Sequence, residues 1–133
     1  MRYRERGFIF GYGHMLIFGP LAAMGAGLHV GAYRLEGDAK IGDTATVLSV
    51  ALPVALFAVT LFALYSLLFR ELDRFHFGLL AGTGAVLAVS VLLAAAGVSI
   101  GICLLVLVLA PAVTVVGYET LGHRQMADAL QRL

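Results

Sequence analysis

The chain has 133 residues, of which 61% are hydrophobic and 13% are charged, and its mean hydropathy is +0.96. Soluble domains carry about 25% charged residues, so this composition excludes a water-soluble globule and makes the lipid bilayer the expected partner. The formal net charge of +1 lacks the basic excess typical of nucleic-acid-binding domains, and we expect no nucleic-acid partner.

Four apolar segments are long enough to cross a membrane as helices, which need about 20 mostly apolar residues. The uncharged stretch 77–118 is too long for one span, and the sequence AAAGVSIGI around Gly97 interrupts it with a turn. The chain is therefore predicted to be all-α, a bundle of four transmembrane helices in a single membrane domain, 1–133. The helices are expected at about 8–33, 44–69, 77–96 and 100–118, followed by a short cytoplasmic tail, 119–133.

The distribution of basic residues predicts the orientation. The N-terminus, the second loop and the tail contain three, two and two Lys or Arg residues, whereas the first loop contains only Arg34 and Lys40. Cytoplasmic loops carry an excess of Lys and Arg. We therefore expect a multi-pass protein of the inner (plasma) membrane, with both termini in the cytoplasm.

Small residues recur at four-residue spacing along the first helix and at the start of the third. Such spacing lets two helix backbones approach closely in a membrane. It predicts helix packing, either within the chain or at a subunit contact. The residues are Gly7, Gly11, Gly19, Ala23, Gly27, Gly31, Gly78 and Gly82.

Prolines lie inside three of the predicted helices, at Pro20, Pro53 and Pro111. Proline cannot donate the backbone hydrogen bond of its position, and it tends to kink a helix. Kinks are therefore predicted at these three positions. The sequence leaves open whether they act as hinges or only shape the bundle.

His14 is an ionisable side chain six residues into the first apolar run, and Tyr12 precedes it. Ionisable groups are costly at membrane depth and by default face the bundle interior or a wet cavity. The ring is expected to be neutral and bonded to a backbone carbonyl or a nearby hydroxyl, or to handle protons or bind a ligand, or to bind a metal or haem. His14 and Tyr12 are predicted to be buried, candidate functional residues.

Motifs of catalysis and metal binding do not appear in the sequence. His29 lies about 22 Å along the helix axis from His14, so the two cannot share one metal ion within a chain. His76 and His123 flank the membrane on the inner side, without metal-binding spacing. Cys103 lies in an apolar run, where a packed thiol is expected. We predict no catalytic residue, no metal site, no cofactor and no enzymatic activity.

Residues 6–30, RGFIFGYGHMLIFGPLAAMGAGLHV, resemble a stretch of the bacterial low temperature requirement A family. In that family a Gly-Tyr-Gly-His or Tyr-x-His sequence opens a helix that ends in Gly-Ala-Gly-Leu, here 11–14 and 25–28. The polar first loop and the close-set final hairpin are similar to the family's C-terminal part. The family is named for a growth phenotype, so the resemblance implies a polytopic bacterial membrane protein and no particular substrate.

Two classes of function are consistent with these features. In the first, the chain is a helical module of an oligomeric channel or transporter, because four helices alone seldom enclose a pore. In the second, it is a non-catalytic structural or assembly subunit of a larger membrane complex. A haem- or metal-binding membrane protein is a third alternative. The expected protein partners are accordingly a second copy of the chain or a larger membrane protein.

Overall fold

The computed structural model describes the backbone of residues 2–69 and 74–131, and the side chains of Arg4, 7–67 and 74–120. These residues form four helices and no strand: α1 (Arg2–Glu36), α2 (Asp43–Phe69), α3 (Arg74–Ala95) and α4 (Ile100–Gln131). Each helix contains a stretch long and apolar enough to cross a membrane. The prediction of an all-α, four-helix membrane fold is confirmed.

The helices are longer than the apolar segments that predicted them. α1 begins at Arg2 rather than near residue 8, and α4 continues to Gln131, so most of the predicted tail is helical. Residues 132–133, and the side chains of 121–131, lie outside the described part of the chain. Charged residues therefore extend all four helices beyond the apolar stretch at one end or both.

Two glycines with positive φ end helices. Gly37 (φ 87°) follows α1 and Gly97 (φ 84°) follows α3. At each, the glycine N–H donates to a carbonyl three residues back, and the next N–H donates to a carbonyl five residues back. This is the Schellman arrangement, which satisfies the last carbonyls of a helix and favours glycine at its left-handed position.

The helices pack in chain order, α1 on α2, α2 on α3 and α3 on α4. The N-terminal part of α1, the C-terminal part of α2, the start of α3 and residues near Tyr118 of α4 border one cavity. They define the terminal end of the bundle. The opposite end, the loop end, contains the 37–42 loop and the 96–99 turn. An ion pair between Arg34 and Asp43 joins α1 to α2 there.

The tightly packed core lies toward the loop end. No described side chain of α1 belongs to it, although Met24 packs against it. The hydroxyl of Ser90 donates a 2.7 Å hydrogen bond to the backbone carbonyl of Cys103, which fixes α3 against α4. The buried apolar residues of this core are Val47, Val50, Ala51, Val54, Leu87, Ala94, Ile100, Cys103, Leu107 and Ala110.

Gly27 of α1 lies directly against the backbone of α2. A Cβ atom at Gly27 would overlap the carbonyl oxygen of Ser49 and lie 2.8 Å from its carbonyl carbon. Pro53 lacks the N–H that would otherwise bond to this carbonyl, four residues earlier in α2. α2 stays helical through Pro53, as α1 does through Pro20 and α4 through Pro111.

The predicted packing glycines differ in their surroundings. Nothing lies within 4 Å of a Cβ built at Gly7, Gly11, Gly19 or Gly78, whereas Gly31 meets Leu104 at 3.4 Å and Gly82 meets Val113 at 3.7 Å. A four-residue step turns a helix by roughly 40° more than one revolution. Successive members of the repeat therefore drift around the helix and do not stay on one face. Ala23 is exposed as well. The buried positions of α1 are Gly13, Pro20, Gly27 and Gly31.

Candidate functional site

A cavity of about 510 Å³ lies at the terminal end, and all four helices contribute to its wall. This volume is within the range of small-molecule sites, about 300–1,000 Å³. Most of the wall consists of aliphatic and aromatic side chains. Its polar side chains are His14, Tyr65, His76, Thr83, Thr114 and Tyr118.

The mouth of the cavity lies between α1 and α4. These two helices make few contacts with each other, and Phe10, Val115 and Tyr118 on its wall are each more than half exposed. Phe10 belongs to the part of α1 that is apolar enough to lie in lipid. With the apolar part of α1 in a membrane, an opening beside Phe10 would face the hydrocarbon layer.

His76, on the first turn of α3, is held among aromatic rings. It stacks on Tyr65 with ring centroids 4.7 Å apart, and Phe62 lies 5.7 Å away. Both ring nitrogens are buried, and neither has a hydrogen-bond partner in the described part of the chain. A neutral imidazole carries one donor and one acceptor, and buried polar atoms without partners are rare in native structures. His76 is thus the unsatisfied polar group of the cavity wall.

His14 and Tyr12 are exposed, which differs from the burial expected for both. The Nδ1 of His14 donates to the carbonyl oxygen of Phe10 at 2.8 Å, within α1, so Nε2 of a neutral ring is the acceptor. His14 nevertheless borders the cavity. Tyr12 is 64% exposed and stacks on Phe8 outside the cavity. Of the two residues, only His14 belongs to the site.

Two threonines form a hydroxyl pair on the cavity wall, between α3 and α4. The Oγ1 of Thr83 donates to the carbonyl of Leu79 at 2.9 Å and lies 2.6 Å from the Oγ1 of Thr114. Either hydroxyl can be the donor of this pair, and the Thr114 hydroxyl also lies 3.4 Å from the carbonyl oxygen of Ala110. When the Thr83 proton goes to Leu79, Thr114 donates to Thr83. The oxygen of Thr114 then keeps acceptor capacity.

The described part of the site offers hydrogen bonds and apolar contact. Among the described residues that line the cavity, none is Asp, Glu, Lys or Arg. Among the described residues, no three His, Cys, Asp or Glu side chains lie close enough to hold a metal ion together. His29 lies at the loop end with its ring against Tyr33, Cys103 is fully buried in the core, and the side chain of His123 is not described.

Sequence reasoning did not select His76, Tyr65 or the threonine pair as site residues. Their common feature is position, since the cavity forms where the end of α2 meets the start of α3. An indication is present in the sequence, because aromatic residues flank the second loop on both sides at Phe62, Tyr65, Phe75 and Phe77. Such a cluster at a helix–helix connection indicates rings that meet in the fold.

The family model described as bacterial low temperature requirement A protein (LtrA) matches residues 2–111 of the chain. The match includes α1, α2, α3 and the first turns of α4, and hence three of the four walls of the cavity. It confirms the resemblance inferred from residues 6–30. Neither a curated protein nor a solved structure matches the chain.

Proposed function

The chain belongs to the bacterial low temperature requirement A family, and we propose that it is the helical module of an oligomeric channel or transporter. The cavity at the terminal end takes up the molecule that is moved. The observation that carries this proposal is the cavity itself, about 510 Å³ in volume and bordered by all four helices of a membrane bundle. We propose no catalytic role.

The two ends of the bundle differ in how tightly they are packed, and this difference supports a transport role over a purely structural one. The loop end is packed around Val47, Val50 and Cys103, which are almost fully buried, whereas the terminal end is open between α1 and α4. A rigid half beside an open half suits a protein that changes access to a site by moving a helix. His14 on α1 and His76 on α3 border the cavity in the open half, and we assign both residues to the transport site.

Oligomerisation belongs to the proposal because one copy leaves the cavity open on one side. A second copy that places a helix beside α1 completes the wall on that side and leaves a lateral opening toward the lipid. We further propose that both termini face the cytoplasm of a bacterial inner membrane, since seven of the nine Lys and Arg residues lie at or near the terminal end in the sequence. The cavity then opens near the cytoplasmic surface.

Cysteine accessibility tests the transport proposal without knowledge of the substrate. In a Cys103→Ala background, Leu80→Cys places a thiol on the cavity wall, and Val50→Cys places one in the packed core as a control. We expect a membrane-impermeant maleimide that carries no charge, a maleimide on a short polyethylene glycol chain, to label Leu80→Cys from either side of sealed vesicles, and Val50→Cys from neither. Labelling of Leu80→Cys from one side only, or no labelling at all, would refute passage through the cavity.

A second function, that of a non-catalytic assembly subunit, is favoured by one observation. Gly7, Gly11 and Gly19 of α1 have no atom of the described chain within 4 Å of a built Cβ, which leaves small residues open to another helix. Gly11→Leu tests assembly, because Gly11 is open. Gly27→Leu is the comparison that disrupts the internal contact of α1 with α2. If a larger partner binds α1, Gly11→Leu lowers its recovery in gentle detergent and leaves the chain folded. If copies of the chain associate elsewhere, Gly11→Leu leaves the oligomer size unchanged.

A further inference from the structure

We propose that the cavity binds an uncharged amphiphile, a molecule of apolar rings or chains that carries one hydrogen-bonding group, and that His76 holds that group. This inference rests on the proposed function in one respect, since it names the class of molecule that the same cavity takes up. It follows from the charge of the wall, the location of the mouth and the unsatisfied nitrogens of His76.

The charge of the wall excludes an ionic ligand. No described lining residue is acidic or basic, so a charged molecule would lose its hydration without gaining a counter-ion. Such burial is strongly unfavourable. The mouth between Phe10 and Tyr118 opens toward lipid, and a molecule that enters there is already dissolved in the bilayer.

The polar requirement comes from His76. Its Nδ1 and Nε2 are both buried and both without a partner, although its ring faces the cavity together with Tyr65 and Phe62. A purely apolar occupant leaves the donor and the acceptor of the ring unsatisfied, which carries the desolvation cost of both. A hydroxyl or carbonyl on the ligand satisfies one of them. Because the neighbouring rings cover the nitrogens, binding requires a rotation of the His76 or the Tyr65 ring.

The wall formed by α3 and α4 offers a second polar atom. The oxygen of Thr114 keeps acceptor capacity when Thr114 donates to Thr83. A ligand hydroxyl has one proton to donate and lone pairs with which to accept. The site therefore matches a hydroxyl better than a carbonyl, since a hydroxyl can accept from His76 or donate to Thr114.

Photolabelling with three matched phenyldiazirines tests the proposal on the full chain in phosphatidylcholine nanodiscs. The probes are 3-phenyl-3-(trifluoromethyl)diazirine, which has neither a hydroxyl nor a carbonyl, its 4-hydroxymethyl derivative, which is the uncharged amphiphile, and its 4-carboxylate derivative, which is an anion. We expect saturable adducts of the hydroxymethyl probe on cavity-wall residues such as Leu79 and Leu80. Its half-saturating concentration should be about fivefold below that of the unsubstituted diazirine, as expected for one added hydrogen bond, and the anion should bind most weakly.

Variants assign the effect to His76. His76→Phe should abolish the fivefold preference and leave labelling by the unsubstituted diazirine unchanged, and His29→Phe at the loop end should retain the preference. If His76→Phe fails to fold, as judged by size-exclusion profile, Thr114→Val removes the second polar atom with little change of shape. That variant should lower the preference about twofold or more.

Three results would overturn the proposal: equal half-saturation for the two neutral probes, a preference that survives His76→Phe, or the tightest labelling by the anion. Adducts confined to the outer faces of the helices would also overturn it, since they mean that a lipid chain or a helix of a second copy fills the cavity. The cysteine experiment separates the two proposals. Two-sided access without probe selectivity refutes the substrate class alone, and selectivity with one-sided access refutes transport alone.

Discussion

Replacing Gly27 with alanine tests the close contact between α1 and α2. A Cβ atom there would overlap the carbonyl oxygen of Ser49 and lie 3.1 Å from Cγ2 of Val50. Non-bonded carbon atoms prefer separations of about 3.5–4.0 Å, so α1 must move away from α2 by roughly 1 Å. The backbone carbonyl cannot rotate out of the way as a side chain can, because it belongs to a helix.

The magnitude follows from two opposing terms. Inserting a methyl group into a packed interface costs about 1–3 kcal/mol, whereas alanine is favoured over glycine within a helix by about 1 kcal/mol. We therefore expect Gly27→Ala to lower the free energy of unfolding by about 1 kcal/mol. Gly25→Ala is the matched control, because nothing lies within 4 Å of a Cβ built there, and it should raise the same free energy by up to about 1 kcal/mol.

The two variants can be compared by reversible titration with SDS in mixed micelles. Fluorophores on cysteines at Arg4 and Leu67, both exposed and both at the terminal end, report the separation of α1 from α2 by energy transfer. The expected difference between the variants is about 2 kcal/mol, the sum of the two shifts. Equal stability of Gly27→Ala and Gly25→Ala would show that α1 does not contact the Ser49 carbonyl.

Four further substitutions test the topology and the loop end. In a Cys103→Ala background, Gly37→Cys should react with an impermeant maleimide on intact cells and Glu119→Cys only after permeabilisation; the reverse pattern contradicts the proposed orientation. Ser90→Ala should lower the free energy of unfolding by about 0.5–1.5 kcal/mol, because it removes a buried hydrogen bond between α3 and α4, and an unchanged SDS midpoint contradicts this. Gly97→Ala should cost about 1 kcal/mol in the same titration, because its φ of 84° is unfavourable for residues with a Cβ, and a neutral effect would show that the turn adopts another conformation.

The sequence was sufficient to predict the number and approximate positions of the helices, because the thickness of the bilayer sets the length of an apolar span. It was less informative about where the helices end. α1 extends to Arg2 and α4 to Gln131, since beyond the lipid a helix is limited by its caps rather than by hydropathy. Gly97 was correctly expected to mark the turn, because its conformation is a local property.

Which face of α1 packs was not predictable from the four-residue repeat. The buried positions Gly13, Pro20 and Gly27 are seven residues apart, which keeps them on one side of a helix that packs against a neighbour with a 3.5-residue period. The predicted repeat includes Gly27 and Gly31 and shares no other buried position. Small residues are frequent in membrane helices, and only the location of the partner helix tells which of them pack.

The polar residues of the site show a similar limit. His14 attracted attention because its sequence neighbours are apolar, yet it is exposed on α1 and bonded to its own helix. His76 lies beside charged residues in the sequence and is enclosed by Tyr65 and Phe62 of α2 in the fold. Burial of a side chain depends on helices that are distant in sequence, and hydropathy of the local segment does not report it.

The contact of Gly27 with Ser49 has a consequence for how the cavity can widen. Phe10, at the mouth, lies 17 residues from Gly27, about 25 Å along the axis of α1. A rotation of α1 by about 5° around this contact moves Phe10 by roughly 2 Å over that length. In such a rotation the glycine would be the fulcrum of a long lever arm, and Gly13, where a built Cβ lies 2.6 Å from the side chain of Leu64, would have to shift against α2 as well.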